Sequence, residues 1–227
     1  DAVEPPHNLY TLSSIYESCA PNYAAINAKA ANIVGLGYDL VPTLNVKQRL
    51  EEIEDENILS RARRKLARQK DEVIDWLETR NDDDTLTSTL MKVFIDLEAT
   101  GNGYIEIGRK NTGEIGYIGH IPASTMRVRR LRDGFVQIVQ GRAVFFRNFQ
   151  GKDPNPFGTD ERPNEIIHIK NYTPTNTYYG IPAIVPAQMA MAGNEFAGRF
   201  NLDYFENKAV PRYIFWLKGA KMSPAAE

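Results

Sequence analysis

One cysteine, Cys19, stands among 227 residues, so no disulfide can form within the chain and no thiolate cluster can hold a metal. A lone thiol suits a reducing compartment. The three histidines, His7, His120 and His168, are too far apart for paired metal-ligand spacing. Long apolar runs are missing too, and with them any helix of about 20 apolar residues for a membrane. No secretory leader pattern is present. Charge bias is small: 27 Lys and Arg against 29 Asp and Glu leave a net charge of −2. That balance excludes a chain that is polycationic throughout and binds nucleic acid on bulk charge. Neither a Gly-x-x-x-x-Gly-Lys-Ser/Thr phosphate loop nor a Gly-x-Ser-x-Gly nucleophile elbow occurs. Gly35 and Gly37 do not open a dinucleotide loop, because Leu40 holds the third glycine position and the pair follows a helix. Glu106, Glu114 and Glu165 are not marked as a catalytic pair, and Asp82, Asp83 and Asp84 lack the glycine and distal glutamate of a calcium loop. The expectation is a protein without cofactor, metal or catalysis.

What is present is a change of period. Residues 1–10 are Pro-rich and read as an arm or linker. Helical signals cover Leu9 to Val34, with a restart at Pro21 that puts Tyr23, Ile26, Ala30 and Ile33 on one face. Tyr38 to Val41 reads as a short strand. Val46 to Thr79 reads as one charged helical stretch, with Glu51 to Glu56 ahead of a basic half from Arg61 to Lys70. Lys47 with Glu51 and Arg68 with Glu72 have pairing distance, but in the less favoured order. Asn81 to Thr85 is a capping loop for a helix from Leu86 to Thr100, whose apolar face is Leu86, Leu90, Val93, Phe94 and Leu97.

From Gly101 the period becomes two. Strands are expected at Tyr104–Ile107, Ile115–Ile121, Met126–Leu131, Phe135–Val139, Ala143–Phe146 and Glu165–Lys170, with a Gly/Pro/Asp-rich loop from Gln150 to Pro163. Turn chemistry lies at Asn111-Thr-Gly-Glu, Asp133-Gly134 and Gly141-Arg142. Tight turns between short strands predict a small antiparallel sheet or barrel-like module, 101–170, after helices over 9–100. The fold class is therefore α+β. On a strand, Arg127 and Arg129 would share one face, and Arg130 and Arg132 the other.

The last feature is a long helix beginning near Ile181. Pro182 and Pro186 fit its first turn, and nothing but Gly193 and Gly198 interrupts it before Lys208. Ala183, Ala187, Ala190, Ala192, Gly193, Ala197 and Gly198 keep it slim. A slim helix can lie close beside copies of itself. The chain does not start with Met and stops at Ser223-Pro-Ala-Ala-Glu, a helix start. It reads as a piece of a longer polypeptide.

In order, the chain carries Gly101-Asn-Gly-Tyr-Ile-Glu-Ile, Ile121-Pro-Ala-Ser-Thr-Met-Arg-Val, Glu165-Ile-Ile-His-Ile-Lys and Tyr178-Tyr-Gly-Ile-Pro-Ala. The long helix follows, then Phe205-Glu-Asn-Lys-Ala-Val-Pro-Arg-Tyr-Ile. This order and spacing resemble the portal proteins of tailed bacteriophages. Lys208 departs from the pattern, standing where that family usually has the glycine of an Asn-Gly-Ala turn. The resemblance implies a wing region over 1–180, a first stem helix over 181–209 and the start of a clip over 210–227. It implies a homo-oligomeric ring of twelve subunits at one capsid vertex of the virion, assembled in the host cytoplasm. Double-stranded DNA would pass through the channel during packaging and ejection. The implied partners are the terminase large subunit, a head–tail connector or adaptor protein and the major capsid protein, with no membrane.

Under that reading Arg199 and Lys208 are candidates to face the DNA channel. Ala190, Gly193, Asn194, Ala197, Gly198 and Tyr204 are candidates for the subunit interface. The alternative is a nucleic-acid-binding protein using the basic helix 61–70 and the arginine cluster 127–132. A third reading puts an enzyme's active residues outside this chain.

Overall fold

The computed structural model describes residues 1–206 apart from 154 and 159–161. The clip segment 210–227 and Lys208 lie outside the described residues. The chain forms two units, residues 1–185 and residues 186–227.

The first unit opens with α1 (Leu9–Ser18) and α2 (Ala20–Ile33). The Asn8 side chain accepts the Thr11 N–H and caps α1, and Pro21 lies in the first turn of α2, where a missing N–H costs least. Only Ile26 and Ala30 of the expected α2 face are buried; Tyr23 and Ile33 are exposed. Residues 38–41 form no strand. Tyr38 instead donates to Glu78 at 2.8 Å, and Asp39 pairs with Lys70.

The charged stretch is two helices, α3 (Leu44–Glu51) and α4 (Glu56–Glu78). The break is made by Asp55, whose carboxylate accepts the Asn57 and Ile58 N–H groups at 2.8 and 3.2 Å. An acid read as part of a run is therefore an N-cap. Neither Lys47–Glu51 nor Arg68–Glu72 forms an ion pair among the described residues. α5 (Leu86–Thr100) is capped by Thr85 at Ser88 and ends at Gly101, whose φ of 80° is the left-handed conformation glycine adopts without strain.

Six strands follow: β1 (Asn102–Arg109), β2 (Ile115–Ile121), β3 (Met126–Val128), β4 (Gly134–Val139), β5 (Arg142–Asn148) and β6 (Glu165–Lys170). They form one open sheet in the order β2-β1-β6-β5-β4-β3. The class is α+β, as the residue pattern implies. The sheet, however, is mixed: β5 and β6 are parallel, through Arg147↔Glu165 and Asn148↔Ile166. The long 149–164 connection returns the chain to the far end of the sheet, which tight hairpins cannot do.

β1 is an interior strand, buried on both faces. Ile105 and Ile107 meet Val93 of α5 on one side. On the other, Tyr104 joins Ile121, Met126, Phe135, Phe146, Ile166 and Tyr179. Each such side chain contributes about 1.5–3 kcal/mol by leaving water. α1 and α2 pack outside α5, giving three layers. The N-terminal arm is not a free linker. Val3 donates to Val128 at 2.8 Å and accepts from the Tyr179 hydroxyl at 2.6 Å, so the arm covers the β3 edge.

Candidate functional site

The second unit contains most of α6 (Ile184–Glu206). At about 1.5 Å per residue the helix is roughly 35 Å long. From Pro186 onward every described side chain is exposed in the single chain. The large apolar ones are included: Phe196 is 67% exposed, Phe200 70% and Phe205 75%. Single exposed apolar residues are ordinary, but Phe196 and Phe200, four positions apart, adjoin on the helix surface, and such a pair marks an interaction surface.

Helical spacing sorts the candidate residues into two faces. Ala190, Gly193, Asn194, Ala197, Gly198 and Tyr204 share one face, with Asn201 among them. A Cβ added at Gly193 or Gly198 would meet nothing within 4 Å, so packing among the described residues does not require glycine at either position. Arg199 lies on the opposite face, beside Glu195, Asp203 and Glu206. Its guanidinium donates to Glu195 at 2.7 Å, acid before base, the favoured i,i+4 order. That face carries three carboxylates and one guanidinium.

The motifs at 101–104 and 178–181 meet in space. Asn102 is fully buried, and its amide bonds Gly180 at both N–H and carbonyl. Asn102 Oδ1 also lies 3.1 Å from His168 Nε2. Burial, with a contribution from Lys170, pulls the His168 ring down to about 3, so at neutral pH it is uncharged and Nε2–H donates to Oδ1. The ring stacks on Tyr104 at 4.5 Å. His168 is thus a core residue and not a ligand.

A second polar group is centred on Glu165, 1% exposed. Arg109 donates to both of its oxygens at 2.7 and 3.1 Å, Arg147 donates to Oε1, and the Gln150 N–H reaches Oε2 at 3.2 Å. Burial pushes this carboxyl up, but the Arg109 and Gln150 hydrogen bonds and the two guanidinium charges outweigh it and hold it below the usual carboxylate range. These contacts bring together β1, β5 and β6. Sequence reasoning passed over Asn102, Arg109 and Arg147, because each finds its partner on a distant segment.

The arginine cluster 127–132 is dispersed. β3 ends at Val128; Arg129 bridges to Ala2 of the arm, and Arg130 and Arg132 lie in the turn that follows. Arg127 binds the Ser124 and Met126 carbonyls, Arg129 pairs with Asp133, and Arg130 pairs with Asp1. On α4, by contrast, Arg61, Arg64, Lys65 and Arg68 share one exposed face and form no ion pair among the described residues. Also among the described residues, no three metal-ligating side chains converge, and no helix is long and apolar enough to cross a membrane.

Residues 57–227 match the family model described as "Phage portal protein". Two Bacillus subtilis (strain 168) proteins are similar along the chain. "Phage-like element PBSX protein XkdE" is 24% identical over 94% of this chain and 48% of its own length. "Uncharacterized protein YqbA" is 23% identical over 92% of this chain and 46% of its own length. The chain therefore spans about half the length of these curated relatives. Two solved structures share the fold over the whole chain. One, "Neck of empty GTA particle computed with C6 symmetry", has a TM-score of 0.69 and 17% identity, with 55% of that chain covered. The other, "Neck of native GTA particle computed with C12 symmetry", has a TM-score of 0.64 and 16% identity, with 54% covered.

Proposed function

The chain belongs to the phage portal protein family, and from that premise we propose that it is a structural subunit of a ring at one capsid vertex of a virion. Twelve copies surround a channel through which double-stranded DNA is packaged and ejected. Residues 1–180 are the wing, 181–209 the first stem helix, and 210–227 the start of the clip. The ring assembles in the host cytoplasm. It docks the terminase large subunit, a head–tail connector or adaptor protein and the major capsid protein.

The observation that carries this reading is α6. A helix of 23 residues, exposed from Pro186 to its end, has one small-residue face that leaves open space at Gly193 and Gly198 among the described residues. A neighbouring copy supplies what fills it. The opposite face suits a channel wall because strong cationic contacts would hold phosphates and resist sliding. Arg199 is already engaged by Glu195, and the carboxylates beside it repel the duplex. Nothing here requires catalysis; the nucleotide chemistry of packaging belongs to the terminase.

Size-exclusion chromatography with light scattering tests the reading. Wild-type protein forms one large species, and Ala197→Glu on the small face returns it to single chains. A second reading keeps α4 as a nucleic-acid-binding surface, favoured by the row Arg61, Arg64, Lys65 and Arg68, which forms no ion pair among the described residues. It requires single chains to bind duplex DNA with log K falling by about 0.9 per phosphate neutralised as log salt rises.

A further inference from the structure

The parallel β5–β6 pairing is only two residues long. Beyond Ile166, β6 runs on without β5 beside it. The notch this leaves is a cavity of about 380 Å³, within the range of small-ligand pockets. Its rim carries Arg132 and Lys170, and its walls include Phe135, Phe149 and His168. No described lining residue is acidic.

Arg132 and Lys170 both converge on Thr177. Arg132 donates to its hydroxyl, and Lys170 donates to its carbonyl. Neither forms an ion pair among the described residues. Burial and the Arg132 charge together hold the Lys170 ammonium below the usual lysine range. Two like charges thus face one another across neutral acceptors.

Arg132 is also held in place. Its guanidinium lies 4.5 Å over the Tyr178 ring, and its carbonyl accepts from Asn148 at 2.6 Å. Its φ of 56° is left-handed, a strained conformation for a residue with a side chain. A glycine would fit that turn more easily, yet the position carries a guanidinium aimed at the rim of a cavity.

We propose that this notch is a binding site for a phosphate-type oxyanion, held between the Arg132 guanidinium and the Lys170 ammonium. Arg132 offers a planar fork to two oxygens and Lys170 a point charge to a third. The anion relieves the repulsion between them. The Thr177 hydroxyl, now an acceptor, rotates to donate. The phosphate is either a free ion or part of a nucleic-acid backbone. This site lies within residues 1–185 and does not depend on ring assembly.

The test is thermal unfolding of the full chain, with sodium phosphate titrated against sodium chloride at matched ionic strength. A short blunt DNA duplex forms a second arm. Wild type gains a saturable rise in Tm, about 3–6 °C at ten times Kd. Arg132→Gly and Lys170→Gln remove that rise. Arg132→Gly is the guard against misfolding, because it relaxes the left-handed φ and melts at or above wild type. A variant-sensitive rise with phosphate assigns a free ion, and one with the duplex alone assigns the backbone; both support the site. No rise in either arm, or an equal rise in wild type and both variants, overturns it.

Discussion

Asn102 grips Gly180 by both ends of its amide: the Gly180 N–H donates to Oδ1 at 2.8 Å, and Nδ2 donates to the Gly180 carbonyl at 3.2 Å. The first residue of β1 is thereby fixed to the segment that leads into α6. Gly101 completes the join. It accepts from the Asn171 N–H at 2.9 Å, and a Cβ on it would lie 2.7 Å from the Gly180 and Ile181 backbone. Two short motifs, 78 positions apart, form one joint.

Asn102→Ala leaves both Gly180 backbone groups without their partner in a buried place. The expected loss is about 2–4 kcal/mol, read as a lower urea midpoint at unchanged slope. Gly101→Ala adds a side chain at positive φ against backbone and costs at least about 2 kcal/mol.

Glu165→Ala strands the buried Arg147 guanidinium and is expected to cost about 3–5 kcal/mol. Adding Arg147→Met recovers part of that loss, because no buried charge then remains unpaired. If the double variant is no more stable than Glu165→Ala alone, the pairing is not the source of the cost.

Stability depends on pH through two groups in different windows. His168 is held near 3 in the fold against 6.5 unfolded, so the unfolded chain takes up the proton first. The stability that neutral His168 contributes is full above 6.5 and is lost as pH falls toward 3. Glu165 acts lower: its folded value is below 4.5, and its contribution fades as pH drops from there through the folded value. His168→Phe is expected to flatten the upper window and leave the lower one. Ring-proton NMR titration of His168 from pH 7 to pH 5 should show no protonation step.

Substitutions on α6 separate assembly from folding. Gly193→Leu and Gly198→Leu meet open space among the described residues, so circular dichroism melts of single chains should match wild type. The same changes should abolish the large species seen by light scattering. Equal assembly in wild type and variants would remove this face from the interface.

Local signals in the sequence were enough for α5, β2 and β6, whose observed bounds agree with the residue pattern. Thr85 and Gly101 mark the ends of α5 by cap chemistry, and short isoleucine-rich runs mark the strands. The α3–α4 break was hidden because Asp55 as a cap looks the same as Asp55 in an acidic run. β3 stops at Val128 because the Arg129–Asp133 pair closes a turn there, which alternation does not reveal. Parallel pairing of β5 with β6 depends on the path of a long loop. Asn102 and Arg147 could not be read at all, since their partners lie 78 and 18 positions away. The α6 candidates were legible as a small-residue face.

Negative-stain electron microscopy of the intact protein, with particles sorted by rotational symmetry, separates a portal ring from any other assembly. A portal subunit forms rings with a central hole of duplex-DNA width. Single chains or dimers at every concentration would contradict it and leave the α4 basic face as the reading to pursue.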